Sequence, residues 1–448
     1  MSLIYSLVLF LAFPGVVGYH LYRSLSRGRR AAFAERFGFI PASEAARIAG
    51  KGTIWVHGVS VGETLASRPL LTALKKRYPD KKLVISNVTE TGREVALKLR
   101  EPDLCIYFPF DYRFAVRRAL RTIRPELVVV VETEIWPTFM DEVRRQRIPS
   151  ALVNGRISDR SFGRYLALSW FFRPVLQKFS ALCMQSAEDA RRITAIGAPA
   201  EHVYVTNNLK YDLTPAPLSV TESRALRERY LIPGDTFVIV AGSTHSGEDE
   251  PVISACRALL DAGRKIIFVL VPRHPERSAE VAELLRKDGF HDTLLSRLKE
   301  RQSYLAPGDA LLVDRVGELM TFYALADLVF VGGSLVPTGG HNLLEPASVG
   351  MPVLFGPHMT NFREITALIL EAKAGVQVQD GAGLRDAFLT LLDDPVQRES
   401  LGKNGLALMA RLGGSTDKHM EVIDRIYARA RLAAPRTEPY SEPMNEAS

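Results

Sequence analysis

Short, nearly continuous apolar runs recur along the chain. Between them, apolar residues return every three or four positions. In the first half the runs fall at 53–57, 82–86, 104–108, 127–132, 151–154, 181–185 and 203–207, with amphipathic stretches such as 70–78, 113–123 and 187–196 between them. Runs without polar alternation predict strands buried on both faces, and the amphipathic stretches predict the helices that cover them, so the pattern is that of a parallel sheet. The rhythm breaks at "NNLKYDLTPAPLSVTE", where Pro215 and Pro217 stand in a stretch without period; an interdomain linker is expected over 213–234. It resumes at 237–242, 265–271, 310–314, 328–332, 352–355 and 375–378. The expected architecture is α/β: two tandem, doubly wound, Rossmann-like domains at 31–212 and 235–430. Residues 431–448 are polar and proline-rich and are expected to form a disordered tail.

Residues 3–22 contain no Asp, Glu, Lys or Arg. An apolar run of about 20 residues matches one bilayer crossing. Arg23, Arg27, Arg29 and Arg30 follow at once, which by the positive-inside tendency keeps the rest of the chain in the cytoplasm. Residues 1–30 are therefore expected to be an N-terminal membrane anchor with a basic flank, either single-pass or, with Pro14 and Gly15 kinking it, monotopic. A cleaved signal peptide fits less well, because no basic residue precedes the run and no small-x-small site follows it.

Across the 448 residues the net charge is +7, which suggests an anionic partner without choosing between nucleic acid, anionic lipid and phosphorylated metabolites. Cys105, Cys183 and Cys256 are too few and too widely spaced for a disulfide framework or a zinc site. Neither GxGxxG nor GxxxxGK[ST] occurs, which removes most of the case for hydride transfer and P-loop chemistry.

The chemistry-bearing residues sit where strands end. "TIWVHGVSVGE" leaves its strand through small residues to Glu63, which either starts the next helix or acts on something the glycines admit. "VVVVETEIWP" ends a buried run in Glu132 and Glu134. Residues two apart share a strand face, so both carboxylates would point the same way if the strand persists; otherwise they cap a helix. In the second half, "AGSTHSGEDE" and "VPRHPER" leave strands through small or basic residues. "VGGSLVPTGGHNLLEPASVG" ends a strand in glycines and enters a helix whose N-terminus suits a phosphate, with Glu345 about one turn in, where a carboxylate can accept ribose hydroxyls. Together these features point to nucleotide-sugar chemistry.

The ordered set "WVHGVSVGE", "VETEIWP", "VTNNLKYD", "GSTHSGE", "VPRHPER" and "GGSLVPTGGHNLLEPA" resembles the signature motifs of the 3-deoxy-D-manno-octulosonic acid (Kdo) transferases of lipopolysaccharide biosynthesis, over nearly the whole chain to about residue 425. "SNVTETG", in place of a Thr-rich run, and Asn207, in place of a Gly, depart from that pattern. The resemblance implies a GT-B glycosyltransferase at the cell inner membrane. It would take CMP-Kdo as donor in its C-terminal domain and the lipid A precursor lipid IVA as acceptor in its N-terminal domain, and would invert the anomeric carbon with no metal or cofactor and no nucleic acid partner. Glu63 is then the matching base, and at least one of Glu132 and Glu134 is essential, holding acceptor or sugar hydroxyls. Arg273 fits as a bidentate phosphate clamp. Ser243, Gly333, Ser334 and the amides around Gly340 fit as smaller donors to the leaving phosphate, Glu345 as the ribose ligand, and Asn342 as a brace for its loop. His274 either donates to phosphate or caps the next helix, and Lys210 either neutralises the donor or is simply solvated. Arg156, Arg160 and Arg164, interleaved with aromatic residues, suit lipid phosphates at a membrane surface or, equally, the wet face of an ordinary helix.

Overall fold

The computed structural model describes residues 32–213 and 217–433, together with scattered positions between 5 and 22. These fold into two compact units. One comprises the chain up to Leu213 and again from Gly413; the other is Thr214–Leu412.

The first unit is built on a parallel sheet of seven strands: β1 (Thr53–His57), β2 (Lys82–Asn87), β3 (Leu104–Tyr107), β4 (Pro125–Val131), β5 (Ser150–Gly155), β6 (Ala181–Met184) and β7 (Val203–Val205). Their order is β3-β2-β1-β4-β5-β6-β7. Central strands are buried throughout: Ile54, Trp55 and Val56 are inaccessible, as are Leu127, Val128 and Val129. Alternate residues feed two cores, one through Trp55, Val128 and Phe139, the other through Ile54, Val129 and Leu70. Branched apolar side chains suit such strands because both faces are dry.

The second unit repeats the plan with β8 (Phe237–Thr244), β9 (Ile266–Pro272), β10 (His291–Leu294), β11 (Asp309–Leu312), β12 (Leu328–Val331), β13 (Val353–Phe355) and β14 (Gly375–Gln377), in the order β10-β11-β9-β8-β12-β13-β14, all parallel. Each sheet reverses its direction of growth once, between β1 and β4 and between β8 and β12. At such a switch point the loops leaving the carboxyl ends of two adjacent strands diverge and open a crevice.

Three expectations change. Residue Ser219 opens a helix, Val220–Arg229, with a reciprocal capping box to Glu222, and Tyr230 and Ile232 behind it are buried. Most of the expected linker thus belongs to the second unit. The last helix, Ser415–Ala433, lies on the first unit rather than extending the second: Met420, Ile423, Ile426 and Tyr427 join the core of Ile54 and Leu70. It is pinned there by hydrogen bonds from Tyr78 to Asp424 and from Tyr427 to Glu126. β10 was not expected at all; it is a short edge strand reading His-Asp-Thr-Leu, without an apolar run to betray it.

Most of the expected anchor, and residues 434–448 of the expected tail, lie outside the described residues. Among the described residues no helix is long and apolar enough to cross a membrane. Those near the N-terminus touch the first unit: the Tyr5 hydroxyl donates to Asp111 (2.9 Å), the Tyr112 hydroxyl donates to the Leu9 carbonyl (2.8 Å), and Phe13 packs edge-on to Tyr112.

Candidate functional site

In the first unit the switch point lies between the carboxyl ends of β1 and β4. The chain leaves β1 at Gly58, and Ser60 begins the helix Val61–Ala66. Glu63 is the third residue of that helix and is buried. Its carboxylate accepts the Val59 amide and, at 2.9 Å, the Ser60 hydroxyl. The helix-start geometry is therefore real, and it holds the carboxylate in one orientation.

β4 stops at Val131, and Glu132 takes a left-handed backbone (φ 59°) while its amide still donates to the Val153 carbonyl. The strand does not persist to Glu134, so the two carboxylates do not share a strand face as alternation predicted. Both nevertheless lie close enough to Glu63 for its charge to act on them. Burial raises the Glu132 carboxyl above the usual range, with a further contribution from Glu63; Lys210, 4.0 Å away, and Arg156 oppose it. Burial, then Glu63 and Glu132, push Glu134 to about 7. Three carboxylates, one from the first turn of the helix after β1 and two from the loop after β4, thus share one partly dry site, where like charges keep a proton in residence. Beneath them His57 is fully buried and stacked on Phe108 at 3.8 Å, and burial holds it neutral at ordinary pH by pushing it down to about 3. Arg156, Arg160 and Arg164 are exposed, the last two on the helix Asp159–Ala167.

In the second unit the corresponding point lies between β8 and β12. Ser243 sits at a bulge against β9 with φ 58°. Beyond it Glu248 is inaccessible to solvent and accepts four backbone amides: His245 (2.8 Å), Gly333 (2.5 Å), Ser334 (3.3 Å) and Leu335 (3.2 Å). The glycine-rich turn after β12 does form a nest of N–H groups, but a carboxylate of the same unit fills it. This corrects three expectations. The Gly333 and Ser334 amides are committed to Glu248. The Ser334 hydroxyl donates to the Val331 carbonyl and accepts from Gly356. The Gly340 amide donates to the Gly333 carbonyl. None of these is left to meet a phosphate. They build the loop, and Gly332 is required there because a β-carbon would stand 2.6 Å from both the Ser243 carbonyl oxygen and Glu248.

The loop so built presents a different set of donors. His341 Nε2 lies 2.9 Å from His245 Nε2 with the rings stacked, and His274 packs edge-on to His245. His274 makes no capping bond to the turn that follows it. The Arg273 side chain is exposed and close enough to lower the Glu345 carboxyl and to disfavour charge on His245 and His341. Burial is the largest cause in each case: it raises Glu345 and pushes His341 down to about 4. Asn342 accepts the Leu344 amide at 3.2 Å, closing the turn that sets Glu345. Ser243, Arg273, His274, His341, Asn342 and Glu345 thus gather at one end of the sheet, beside His245. Sequence reading missed His245, His341 and Glu248 as site residues; the available signal was their place in "GSTHSGE" and "GGHNLLEP", directly after strand ends.

Among the described residues no group of three or more His, Cys, Asp or Glu side chains could hold a metal ion. Residues 31–213 match the family model described as 3-Deoxy-D-manno-octulosonic-acid transferase (kdotransferase). The 3-deoxy-D-manno-octulosonic acid transferase of Haemophilus influenzae is 34% identical over 403 residues, covering 88% of this chain and 91% of that protein. Among solved structures, the UDP-GlcNAc 2-epimerase of Neisseria meningitidis bound to UDP-GlcNAc aligns with a TM-score of 0.56 at 15% identity, over 83% of this chain and 100% of that one. A glycosyltransferase from Rickettsia africae aligns at 0.53 and 13% identity, over 86% of this chain and all of that one. The last two similarities concern the fold, which is GT-B. With the sequence relationship extending through both units and their strand-end motifs, the chain belongs to the 3-deoxy-D-manno-octulosonic acid transferase family and is a glycosyltransferase of lipopolysaccharide biosynthesis.

Proposed function

We propose that the protein transfers Kdo from CMP-Kdo to lipid IVA with inversion at the anomeric carbon, and that neither a metal nor a cofactor takes part. The observation that carries this proposal is the convergence of Glu63, Glu132 and Glu134 at the switch point of the first unit. Glu63, oriented by Val59 and Ser60, accepts the proton of the acceptor hydroxyl as that oxygen bonds to the anomeric carbon and the bond to the CMP phosphate breaks. Glu134, with its carboxyl near 7, can donate a hydrogen bond to a sugar oxygen, and Glu132 with Lys210 sets the charge around it. In the second unit Arg273 meets the departing phosphate as its charge grows, with Ser243, His245, His274 and His341 as further polar groups, and Glu345 takes the ribose.

The enzyme is proposed to work at the cytoplasmic face of the inner membrane through its N-terminal segment. Exposed Phe10, Leu11, Leu166, Leu168 and Trp170 support this, as do the exposed guanidinium groups of Arg156, Arg160 and Arg164. Co-sedimentation with anionic but not zwitterionic vesicles is the expected result.

The decisive experiment incubates the protein with CMP-Kdo and lipid IVA and follows the acceptor by mass spectrometry. A gain of Kdo units on lipid IVA is expected, with the product's anomeric configuration by NMR opposite to that of the donor. Glu63→Gln should lower turnover by about 10²-fold or more, the usual worth of a positioned general base. Release of free Kdo without acceptor gain would instead mean hydrolysis, and undiminished turnover in Glu63→Gln would remove the base.

A further inference from the structure

The opposite pole of the first sheet carries a charged feature that sugar transfer does not use. The segments entering β5, β6 and β7 meet the end of the helix Pro137–Arg145 and the last turns of Ser415–Ala433 around a pocket of about 570 Å³. Arg144, Arg145, Arg147 and Arg429 line it, with His202, and no acidic residue does. Arg145 shares the single carboxylate of Glu142 with Arg113 and Arg117. The side chains of Arg144, Arg147 and Arg429 have no ion pair or hydrogen bond among the described residues. The Nδ1 atom of His202 is buried without a hydrogen-bond partner. Phe179 and Ile426, both buried, form an apolar part of the lining.

A helix carboxyl end favours a nearby cation, which accounts for Arg144 and Arg145 in the last turn of Pro137–Arg145. It does not account for Arg147. That residue lies beyond its helix with φ 57°, a left-handed backbone usually left to glycine, and its side chain joins the same pocket. Three unpaired guanidinium groups, with Arg145 sharing Glu142 beside them, repel one another around one concavity until an anion enters, and the unpartnered His202 ring nitrogen adds a polar group to its wall. A phosphate group suits them, since its oxygens accept paired, charge-assisted hydrogen bonds from planar guanidinium donors. β5 spans six residues at roughly 3.3 Å each, which places the pocket about 20 Å from the Glu63 cluster at the other end of the sheet.

We propose that this pocket is a binding site for a phosphate-bearing ligand, separate from the transfer site and independent of the function assigned to it. Arg429 comes from the last helix, whereas Arg144 and Arg147 come from the body of the sheet unit. A bound phosphate therefore bridges that helix to the rest of the unit and stabilises it.

The test uses the full-length protein with inorganic pyrophosphate and inorganic phosphate as probes, followed by calorimetric titration and by hydrogen exchange. Saturable binding is expected, with slower exchange in residues 415–433. Arg147→Gly, which the local backbone accommodates, and Arg429→Gln should each weaken binding at least tenfold while leaving Kdo transfer unchanged, and Arg273→Ala should leave this binding event in place. A parallel arm measures sedimentation with phosphatidylglycerol and with phosphatidylcholine vesicles. Pyrophosphate binding that is lost in the two variants, with unchanged sedimentation, identifies a soluble phosphorylated ligand. A variant-sensitive loss of sedimentation with phosphatidylglycerol alone identifies a lipid headgroup. No saturable binding of any probe, binding undiminished in both variants, or binding lost only with Arg273→Ala would overturn the proposal.

Discussion

The titration of Glu134 gives the most direct residue-scale test. Its carboxyl is raised from 4.5 to about 7, so the folded protein keeps a proton that the unfolded chain releases within that window. The sign is destabilising: stability declines as pH rises from about 4.5 to about 7 and levels off above. The full shift is worth about 3 kcal/mol, and partial exposure reduces it to on the order of 2 kcal/mol. Glu134→Gln should therefore gain stability relative to the native protein at pH 8 but not at pH 4.5, as read by urea unfolding. Glu248→Gln should act in the opposite sense. It exchanges a buried carboxylate that accepts four amides for a neutral amide group with one acceptor oxygen, and a loss of about 1–3 kcal/mol is expected together with a raised KM for the donor. Glu132 and Glu134 stood out as candidates because they follow a buried run directly, and Glu63 because it is the first carboxylate after the small residues that leave β1. The assignment of Gly333, Ser334 and Gly340 to phosphate failed for a specific reason. Which group fills an amide nest depends on what the fold brings to it, and here that is a glutamate 85 positions away in sequence.

At the scale of elements, the last helix, 19 residues long, shows an amphipathic stretch whose unit is chosen by the fold. His419 accepts the Asn154 amide, hydrogen-bonds Thr206 at 3.0 Å and meets the Ser415 carbonyl at 2.7 Å through its other ring nitrogen. Burial pushes it down from 6.5 to about 4. The unfolded chain takes up this proton below pH 6.5, so the contribution is intact above that value and is lost as pH falls toward 4. Hydrogen exchange in 415–433, corrected for intrinsic rates, should be faster relative to the β1–β4 core at pH 5 than at pH 7. Truncation after Leu412 should do more. It strips Met420, Ile423, Ile426 and Tyr427 from the core they share with Leu70, so the first unit should lose its cooperative melt while the second keeps its own. Nothing in the periodicity of 415–433 names its partner. A stripe of apolar residues requires a surface, and the fold selects which one.

For the whole molecule, two units with separate cores predict separable thermodynamics. CMP should raise the calorimetric transition of the second unit, where Arg273, the histidines and Glu345 lie, and leave that of the first unaltered. A shift confined to the first unit would move the nucleotide site. The phosphate pocket makes the complementary prediction, since its probes should act on the first unit alone.

The amino-acid pattern determined the elements and their class: buried runs must pair on both sides, amphipathic stretches must cover them, and thirteen of the fourteen strands among the described residues follow from that requirement. It also placed Glu63, Glu132, Glu134 and Arg273 after strands rather than within them, because an ionisable side chain is costly to bury inside a strand that is dry on both faces. The tertiary structure alone decided which strand ends adjoin. The switch points β1–β4 and β8–β12 depend on the order of strands in the sheet, and strand order is settled by packing among segments far apart in sequence. For the same reason the occupancy of the glycine-rich turn by Glu248, the return of the last helix to the first unit and the ring of arginines at its far pole became visible only in three dimensions. Each depends on a non-local contact, and local sequence carries no record of the partner.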